Sequence, residues 1–157
     1  MDADHPNVVA VQNALRAAGA AGEVRILPEV APTAVAAAEQ IGVEVGAIAN
    51  SLIFDADGAA LLILTSGAHR VDTEFVGAAL GCRLKRATPE LVRAATGQAI
   101  GGVAPVGHPA PVRTLVDEAL AAYPQVWAAG GVPHAVFPTS YDELVRITNG
   151  TPIRVVP

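Results

Sequence analysis

The chain has 157 residues, 52% of them hydrophobic and 4% aromatic, and its formal net charge at pH 7 is −5. This length predicts one domain over residues 1–157, with a core built mostly from Ala, Val, Leu and Ile. The acidic balance argues against tight, sequence-blind binding to nucleic acid, which needs many Lys and Arg contacts to phosphate, so we expect no DNA partner.

Hydrophobic periodicity and capping residues predict alternating short helices and strands in chain order. Helices are expected over residues 4–19, 32–41, 73–80, 88–96 and 140–149. Strands are expected over residues 24–27, 47–54, 60–65, 83–86, 112–116, 126–129, 135–137 and 153–156. Asp72, Thr88 and Ser140 are the predicted N-caps of the last three helices, Ser140 as part of a capping box. The order predicts a mixed α/β fold in which helices pack around a central mixed sheet.

Residues 101–109 read Gly-Gly-Val-Ala-Pro-Val-Gly-His-Pro, with three glycines and two prolines in nine positions. Glycine lets another group approach the backbone closely, and proline stiffens the chain. The composition therefore predicts a rigid loop whose exposed amides meet a ligand, or else an ordinary connector. His108, although it lies in this loop, is expected to face solvent.

Several kinds of site have no counterpart in the sequence. There is no Gly-x-Ser-x-Gly elbow, no phosphate-binding glycine loop and no pair of histidines at i, i+4 spacing, so we expect neither a metal nor a nucleotide or redox cofactor. The lone cysteine, Cys82, allows no internal disulfide and is interpreted as a buried structural thiol rather than a nucleophile. No apolar run approaches the ~20 residues that span a bilayer, so we expect a cytoplasmic protein without a membrane partner.

Five blocks of the sequence occur in the same order in a known family. They are Asn50–Phe54, Leu62–Gly67, Gly97–Ile100, the Gly101-x-x-x-Pro105 loop, and Ala129–Phe137 with the helix Asp142–Thr148 behind it. Over about residues 5–157 the chain resembles the YbaK-like aminoacyl-tRNA deacylases, a family that includes the editing domain inserted in bacterial prolyl-tRNA synthetases. The resemblance implies a mixed, partly barrel-like sheet surrounded by helices.

The same resemblance implies hydrolysis of the ester in a mischarged aminoacyl-tRNA. It assigns to Gly101, Gly102 and Pro105 the task of holding the aminoacyl carbonyl and shaping the amino-acid pocket. Catalysis would rest on backbone groups of this loop and on the 2′-hydroxyl of the tRNA. The implied substrate carries a small amino acid, such as Ala or Cys, on tRNA-Pro or another noncognate tRNA. The implied partners are the tRNA acceptor end and an aminoacyl-tRNA synthetase.

Asn50 departs from the family pattern because it stands where the family has a lysine. Asparagine keeps hydrogen-bonding capacity but loses the charge and about half the reach. Either Asn50 positions the substrate in place of lysine, or the activity is weakened, lost or redirected. The second case would leave a non-catalytic module that binds an aminoacyl adenosine, a small metabolite or a synthetase. A hydrolase of another acyl ester or amide is a further alternative.

The remaining candidate residues have a structural alternative beside the functional one. Gly130 and His134, in the predicted late hairpin, are candidates for the amino-acid pocket or for backbone hydrogen bonding. Ser51, Thr65 and Ser66 are candidates for the pocket lining or for strand packing. The basic residues Arg83, Lys85 and Arg86 are candidates for tRNA phosphate contacts or for a solvated surface.

Overall fold

The computed structural model describes residues 2–157, and every predicted helix and strand is present in it. The helices are α1 (Pro6–Ala17), α2 (Ala34–Ile41), α3 (Thr73–Leu80), α4 (Pro89–Thr96) and α5 (Tyr141–Thr148). The strands are β1 (Arg25–Ile26), β2 (Ile48–Ala56), β3 (Ala59–Ser66), β4 (Leu84–Arg86), β5 (Arg113–Asp117), β6 (Val126–Ala129), β7 (Ala135–Thr139) and β8 (Thr151–Ile153). No helix among residues 2–157 is long and apolar enough to cross a membrane.

Side-chain caps explain where the later helices begin. The predicted caps Asp72, Thr88 and Ser140 are confirmed, because each accepts a hydrogen bond from the backbone N–H three residues further on. Only half of the predicted capping box forms at Ser140. The carboxylate of Glu143 accepts hydrogen bonds from Thr139 Oγ1 and Ala21 N, at 2.7 and 3.1 Å, instead of from the N–H of Ser140.

The eight strands among the described residues form a single mixed sheet in the order β1-β7-β6-β2-β3-β5-β8, and β4 pairs with β2 outside this order. The β2–β3 and β6–β7 pairs are antiparallel, whereas β2–β6, β3–β5 and β5–β8 are parallel. The mixed α/β class is therefore confirmed. Strand β8 lies two residues before its predicted start at residue 153, because Thr151–Ile153 pair with Leu115–Asp117.

Strand β2 has a gap in the pairing along one of its edges. One edge pairs with β3 from Ala49 to Ala56. The other edge pairs with β6 at Ile48 and Ala49 and with β4 from Phe54 onwards. Residues 50–53 have no strand partner on this second edge. The sheet is consequently open between β6 and β4.

The turn that joins β2 to β3 determines which backbone groups face this gap. Asp57 and Gly58 have φ angles of +51° and +94°, as a two-residue hairpin turn requires. The flanking residues Ala56 and Ala59 form a hydrogen-bonded pair, so the even-numbered residues of β2 direct their N–H and C=O groups toward β3. The N–H and C=O groups of the odd-numbered residues point away from β3, toward the other edge of β2. The N–H and C=O of Ser51 therefore face the gap.

The two faces of β2 pack into different parts of the core. Ala49 and Ile53 pack with Val103 and Val106 of the loop 101–109, the glycine loop. Phe54, on the opposite face, packs with residues of β3 and α3. Both faces are covered, which explains the nearly continuous apolar sequence of β2 and β3. The glycine loop lies on the face of the sheet to which Ser51 belongs.

Candidate active site

A cavity of about 610 Å³ opens at the gap in the sheet. Residues 48–54 of β2 form its floor, and its walls come from α2, the β6–β7 hairpin, residues 70–73, the end of β4 and the glycine loop. Sites for small molecules have volumes of about 300–1,000 Å³ and mostly apolar linings with a few polar groups. The polar side chains of this lining belong to Thr33, Asn50, Ser51, Arg70, Thr73, Arg86 and Trp127.

Ser51 brings three polar groups to the cavity. Its N–H and C=O face the gap, and its Oγ is buried without a hydrogen-bond partner among the described residues. Buried polar groups in folded proteins nearly always have a partner, so an unsatisfied hydroxyl in a cavity lining is a natural ligand contact. Sequence reasoning identified Ser51 as a candidate for the lining, and the structure places it there.

Two backbone amides of the glycine loop that belong to cavity-lining residues are also without an acceptor among residues 2–157. Gly101 and Val103 line the cavity, and no hydrogen bond of either N–H is present in the described part of the chain. The backbone N–H groups of the neighbouring residues Gly102 and Ala104 already donate hydrogen bonds. The N–H of Gly102 donates to Ala99 O at 3.3 Å, and that of Ala104 donates to Gln98 Oε1 at 2.7 Å. The loop thus offers two unoccupied donors at the cavity wall.

Gly102 and Pro105 lie behind this wall. Both are buried, and neither lines the cavity. Gly102 packs so closely on the β6–β7 hairpin that an added Cβ would lie 2.7 Å from the backbone Cα and C of Val132. The side chain of Gln98, which is only 2% exposed, accepts a hydrogen bond from Ala104 N and so holds the loop in place. The arrangement fixes the position of the Gly101 and Val103 amides.

Asn50 lines the cavity from the middle of β2. Its even-numbered position puts its side chain on the same face as Leu52 and Phe54, opposite to that of Ser51. The cavity reaches both faces because the sheet is open at this point. Asn50 is half-buried, and its side chain has no hydrogen bond within the described residues.

Thr65 and Ser66 lie away from the cavity and bind a buried carboxylate. Asp117 is 1% exposed, and its Oδ2 accepts hydrogen bonds from Ser66 N at 2.9 Å and Thr65 Oγ1 at 3.3 Å. His69 Nδ1 lies 2.9 Å from the same oxygen, and Ala119 N donates to Oδ1 at 2.9 Å. These contacts join the ends of β3 and β5. Sequence reasoning missed Asp117.

Backbone hydrogen bonds hold the β6–β7 turn beside the cavity. Gly130 N donates to Ala135 O at 2.7 Å, and the C=O of His134 accepts from Leu27 N at 2.6 Å. Neither Gly130 nor His134 lines the cavity, although their neighbours Pro133 and Ala135 do.

Only one residue of the basic cluster reaches the cavity. Arg86 lines it from the end of β4, whereas Arg83 and Lys85 do not. The register pairs Arg86 with Phe54 and Lys85 with Asp55, so the side chains of Arg86 and Lys85 project from opposite faces of the sheet.

A family model described as "Aminoacyl-tRNA editing domain" matches residues 28–147. The chain belongs to the aminoacyl-tRNA editing domain family. The matched range contains Asn50, Ser51 and the glycine loop, as well as Arg70 and Arg86 at the cavity.

Individual proteins similar to this editing domain cover most of its length. A crystal structure of a "putative trans-editing enzyme for prolyl tRNA synthetase" is 42% identical, covers 97% of this chain and 98% of its own, and has a TM-score of 0.91. The structure of the hypothetical protein APE2540 is 26% identical over 93% of this chain and 98% of its own, with a TM-score of 0.86. The uncharacterised protein YwhH of Bacillus subtilis strain 168 is 31% identical over 69% of each chain.

Two residues at the cavity of this editing domain had no clear signal in the sequence. Arg70 lies in the segment before α3, outside the basic cluster. Trp127 lies on β6, is 6% exposed, and has no hydrogen-bond partner for its Nε1 among the described residues. The guanidinium of Arg25 lies 5.1 Å from the centroid of the Trp127 ring. No group of three or more His, Cys, Asp or Glu within residues 2–157 could hold a metal ion.

His108 stabilises the glycine loop of the editing domain. The prediction that it faces solvent is wrong. His108 is half-buried, and its Nε2 lies 2.7 Å from Ala104 O. Because a carbonyl only accepts, Nε2 carries the proton in the neutral ring. Burial lowers the pKa of His108 below its ordinary value of 6.5, and the hydrogen bond to Ala104 opposes this effect in part.

We expect the free energy of unfolding to fall as the pH falls through 6.5, the ordinary pKa of histidine. Below that pH the unfolded chain binds a proton at residue 108 that the folded chain binds only at lower pH, so the unfolded state is favoured. Denaturant unfolding of wild type and His108→Gln, at about one pH unit on either side of this value, measures the effect. Glutamine can still donate to Ala104 but does not titrate. An equal pH dependence in the two proteins would contradict the assignment.

Proposed function

We propose that this editing domain hydrolyses mischarged aminoacyl-tRNA in trans. The observation that carries the proposal is the pair of unoccupied amides, Gly101 N–H and Val103 N–H, at the wall of a cavity large enough for an aminoacylated nucleotide. Membership of the aminoacyl-tRNA editing domain family supports it. So does the similarity to a protein described as a putative trans-editing enzyme for prolyl tRNA synthetase. Ala or Cys on tRNA-Pro is the substrate we propose.

The chemistry of the lining is consistent with cleavage of an ester that is already activated. A water oxygen attacks the ester carbonyl, and the amides of Gly101 and Val103 donate to the oxyanion that develops. The bond from the carbonyl carbon to the 3′-oxygen then breaks. That oxygen takes up the proton that the water loses, with the neighbouring 2′-hydroxyl as the relay. The products are a free amino acid and a tRNA with its 3′-hydroxyl restored.

The side chains of the cavity position the substrate in this scheme. Apart from Arg70 and Arg86, no lining residue in the described part of the chain is ionisable, so no side chain among them serves as a general base at neutral pH. Asn50 and the polar groups of Ser51 bind the aminoacyl group on the two faces of β2. Gly102 and Pro105 hold the loop against the β6–β7 hairpin. The tRNA acceptor end enters the cavity, and a synthetase is a candidate partner that delivers it.

A time course of deacylation on Ala-, Cys-, Ser- and Pro-tRNA tests the proposal. We expect wild-type protein to cleave one mischarged species well above its spontaneous rate. Asn50→Ala should cleave that species more slowly, because the substrate loses a positioning contact. Decay of every species at its spontaneous rate, at micromolar protein, would refute the hydrolase.

A non-catalytic binder of aminoacyl adenosine is the second candidate, and the neutral side chain of Asn50 favours it. The centre of the cavity has no charge to hold the substrate against the loop amides. If Asn50→Lys creates hydrolysis that wild type lacks, the native chain is a binder. If Asn50→Lys leaves an existing activity unchanged or lowers it, the hydrolase assignment is favoured.

A further inference from the structure

The charges at the cavity have one sign, although the chain as a whole is acidic. Net charge is −5, with 15 acidic and 10 basic residues. Within residues 2–157 no Asp or Glu lines the cavity, and Arg70 and Arg86 are the only charged residues there. Both arginines are exposed, and neither has a hydrogen bond or an ion pair within the described residues.

Register and packing place the two arginines on the same side of the sheet at the cavity. Arg86 pairs with Phe54, so its side chain lies on the even-numbered face of β2. Arg70 comes directly before Val71, which packs on the same cluster as Leu52 and Phe54. Two side chains from separate segments therefore line the same cavity, and both segments pack on the even-numbered face of β2.

We propose that Arg70 and Arg86 together hold the phosphate of the substrate's 3′-terminal nucleotide. The proposal rests on the proposed function and names the residues that recognise the nucleotide part of that substrate. Guanidinium groups match phosphate oxygens with paired, charge-assisted hydrogen bonds. Arg86 pairs with Phe54, which lies three residues from Ser51 along β2. The backbone of Arg86 therefore lies about 10 Å from that of Ser51 in the strand direction. The phosphate is thus held beside the reacting ester and not on it.

Arg70 and Arg86, here called the phosphate clamp, supply the positive charge that the centre of the cavity lacks. Asn50 is neutral and lines the same space, so attraction for an anionic substrate comes from the two arginines alone. A charged clamp makes binding depend on the nucleotide and selects RNA-linked esters over simple amino-acid esters. It also predicts that a cation placed at residue 50 can replace one of the arginines.

Binding of an uncharged RNA acceptor-stem hairpin ending in CCA tests the clamp without any need for hydrolysis. Fluorescence anisotropy over a range of salt concentrations would give Kd for wild type, Arg70→Ala, Arg86→Ala and the control Arg93→Ala. Arg93 is exposed on α4 and does not line the cavity. We expect Arg70→Ala and Arg86→Ala each to raise Kd about tenfold. Each should also reduce the slope of log Kd against log salt by about 0.7. Arg93→Ala should change neither.

Two further variants separate a phosphate contact from a structural role. Arg70→Lys should keep the salt slope and lose part of the affinity, because lysine retains the charge without the paired donors. Arg70→Ala combined with Asn50→Lys should recover the slope. The clamp is overturned if wild type does not bind the hairpin, if Arg93→Ala matches Arg70→Ala, or if the slope is the same in all proteins.

Failure of the clamp and failure of the proposed function give different results. Arginine-dependent binding of the hairpin without hydrolysis of any mischarged tRNA would support the clamp and refute the hydrolase. Hydrolysis that is unchanged in Arg70→Ala and Arg86→Ala would support the hydrolase and refute the clamp.

Discussion

Gly102→Ala is expected to lower kcat/KM for mischarged tRNA by about 10²–10³, the usual effect of losing an oxyanion donor. An alanine Cβ would lie 2.7 Å from the backbone of Val132 and 2.9 Å from Pro133 N. Backbone atoms of a paired hairpin do not move aside, so the loop must shift. The shift would carry the Gly101 and Val103 amides away from the position of the ester oxygen. Single-turnover deacylation, with thermal unfolding to check the fold, measures this effect.

Gly101→Ala is the matched comparison for this variant. Its added Cβ would meet no atom within 4 Å, and the cost comes only from a φ of +97°. Strain of that kind is about 1–3 kcal/mol and leaves the loop room to stay in place. We therefore expect a smaller loss of activity than in Gly102→Ala. Wild-type kcat/KM in Gly102→Ala would show that the loop amides do not act on the substrate.

Asp117→Asn is expected to destabilise the fold by about 2–3 kcal/mol. Both carboxylate oxygens accept from backbone N–H groups, Oδ2 from Ser66 and Oδ1 from Ala119, each at 2.9 Å. Whichever way the asparagine amide is oriented, its NH₂ faces one of these donors and cannot accept. For a chain of this length the loss corresponds to a decrease in Tm of about 5–10 °C. Thermal unfolding at neutral pH measures it.

Asp55→Asn is the control for the removal of a carboxylate charge. Asp55 is half-buried in β2, and its Oδ1 accepts from Gly58 N at 2.7 Å, a bond that an amide oxygen can keep. We expect a change in Tm of no more than about 2 °C. Equal decreases in Asp55→Asn and Asp117→Asn would mean that net charge, and not the hydrogen bonds of Asp117, determines the effect.

The elements were predictable because their signals are local. The caps at Asp72 and Thr88 depend on a few neighbouring residues, and both formed as predicted. The register of β8 depends on pairing with β5, about thirty-five residues earlier in the chain, so its position was predicted two residues late. The capping box at Ser140 failed in part because Glu143 bonds to Ala21, a contact made only in the folded chain.

The candidate site was predictable only where it lies on one segment. The glycine loop could be identified from its composition, but which of its amides are unoccupied follows from contacts with Ala99 and Gln98. The gap beside Ser51 exists because β6 and β4, which are distant in the sequence, both stop short on the same edge. Arg70 joins Arg86 by tertiary packing, and no spacing in the sequence predicts that pair.

The position of Trp127 gives the protein a built-in optical signal. It is the only tryptophan of the chain, and it forms part of the cavity wall with the cation of Arg25 near its ring. Indole emission depends on local polarity and on nearby charge, so nearly all tryptophan fluorescence of this molecule comes from the place where a ligand would lie. Filling or emptying of the cavity can therefore be followed on the unlabelled, unmodified protein.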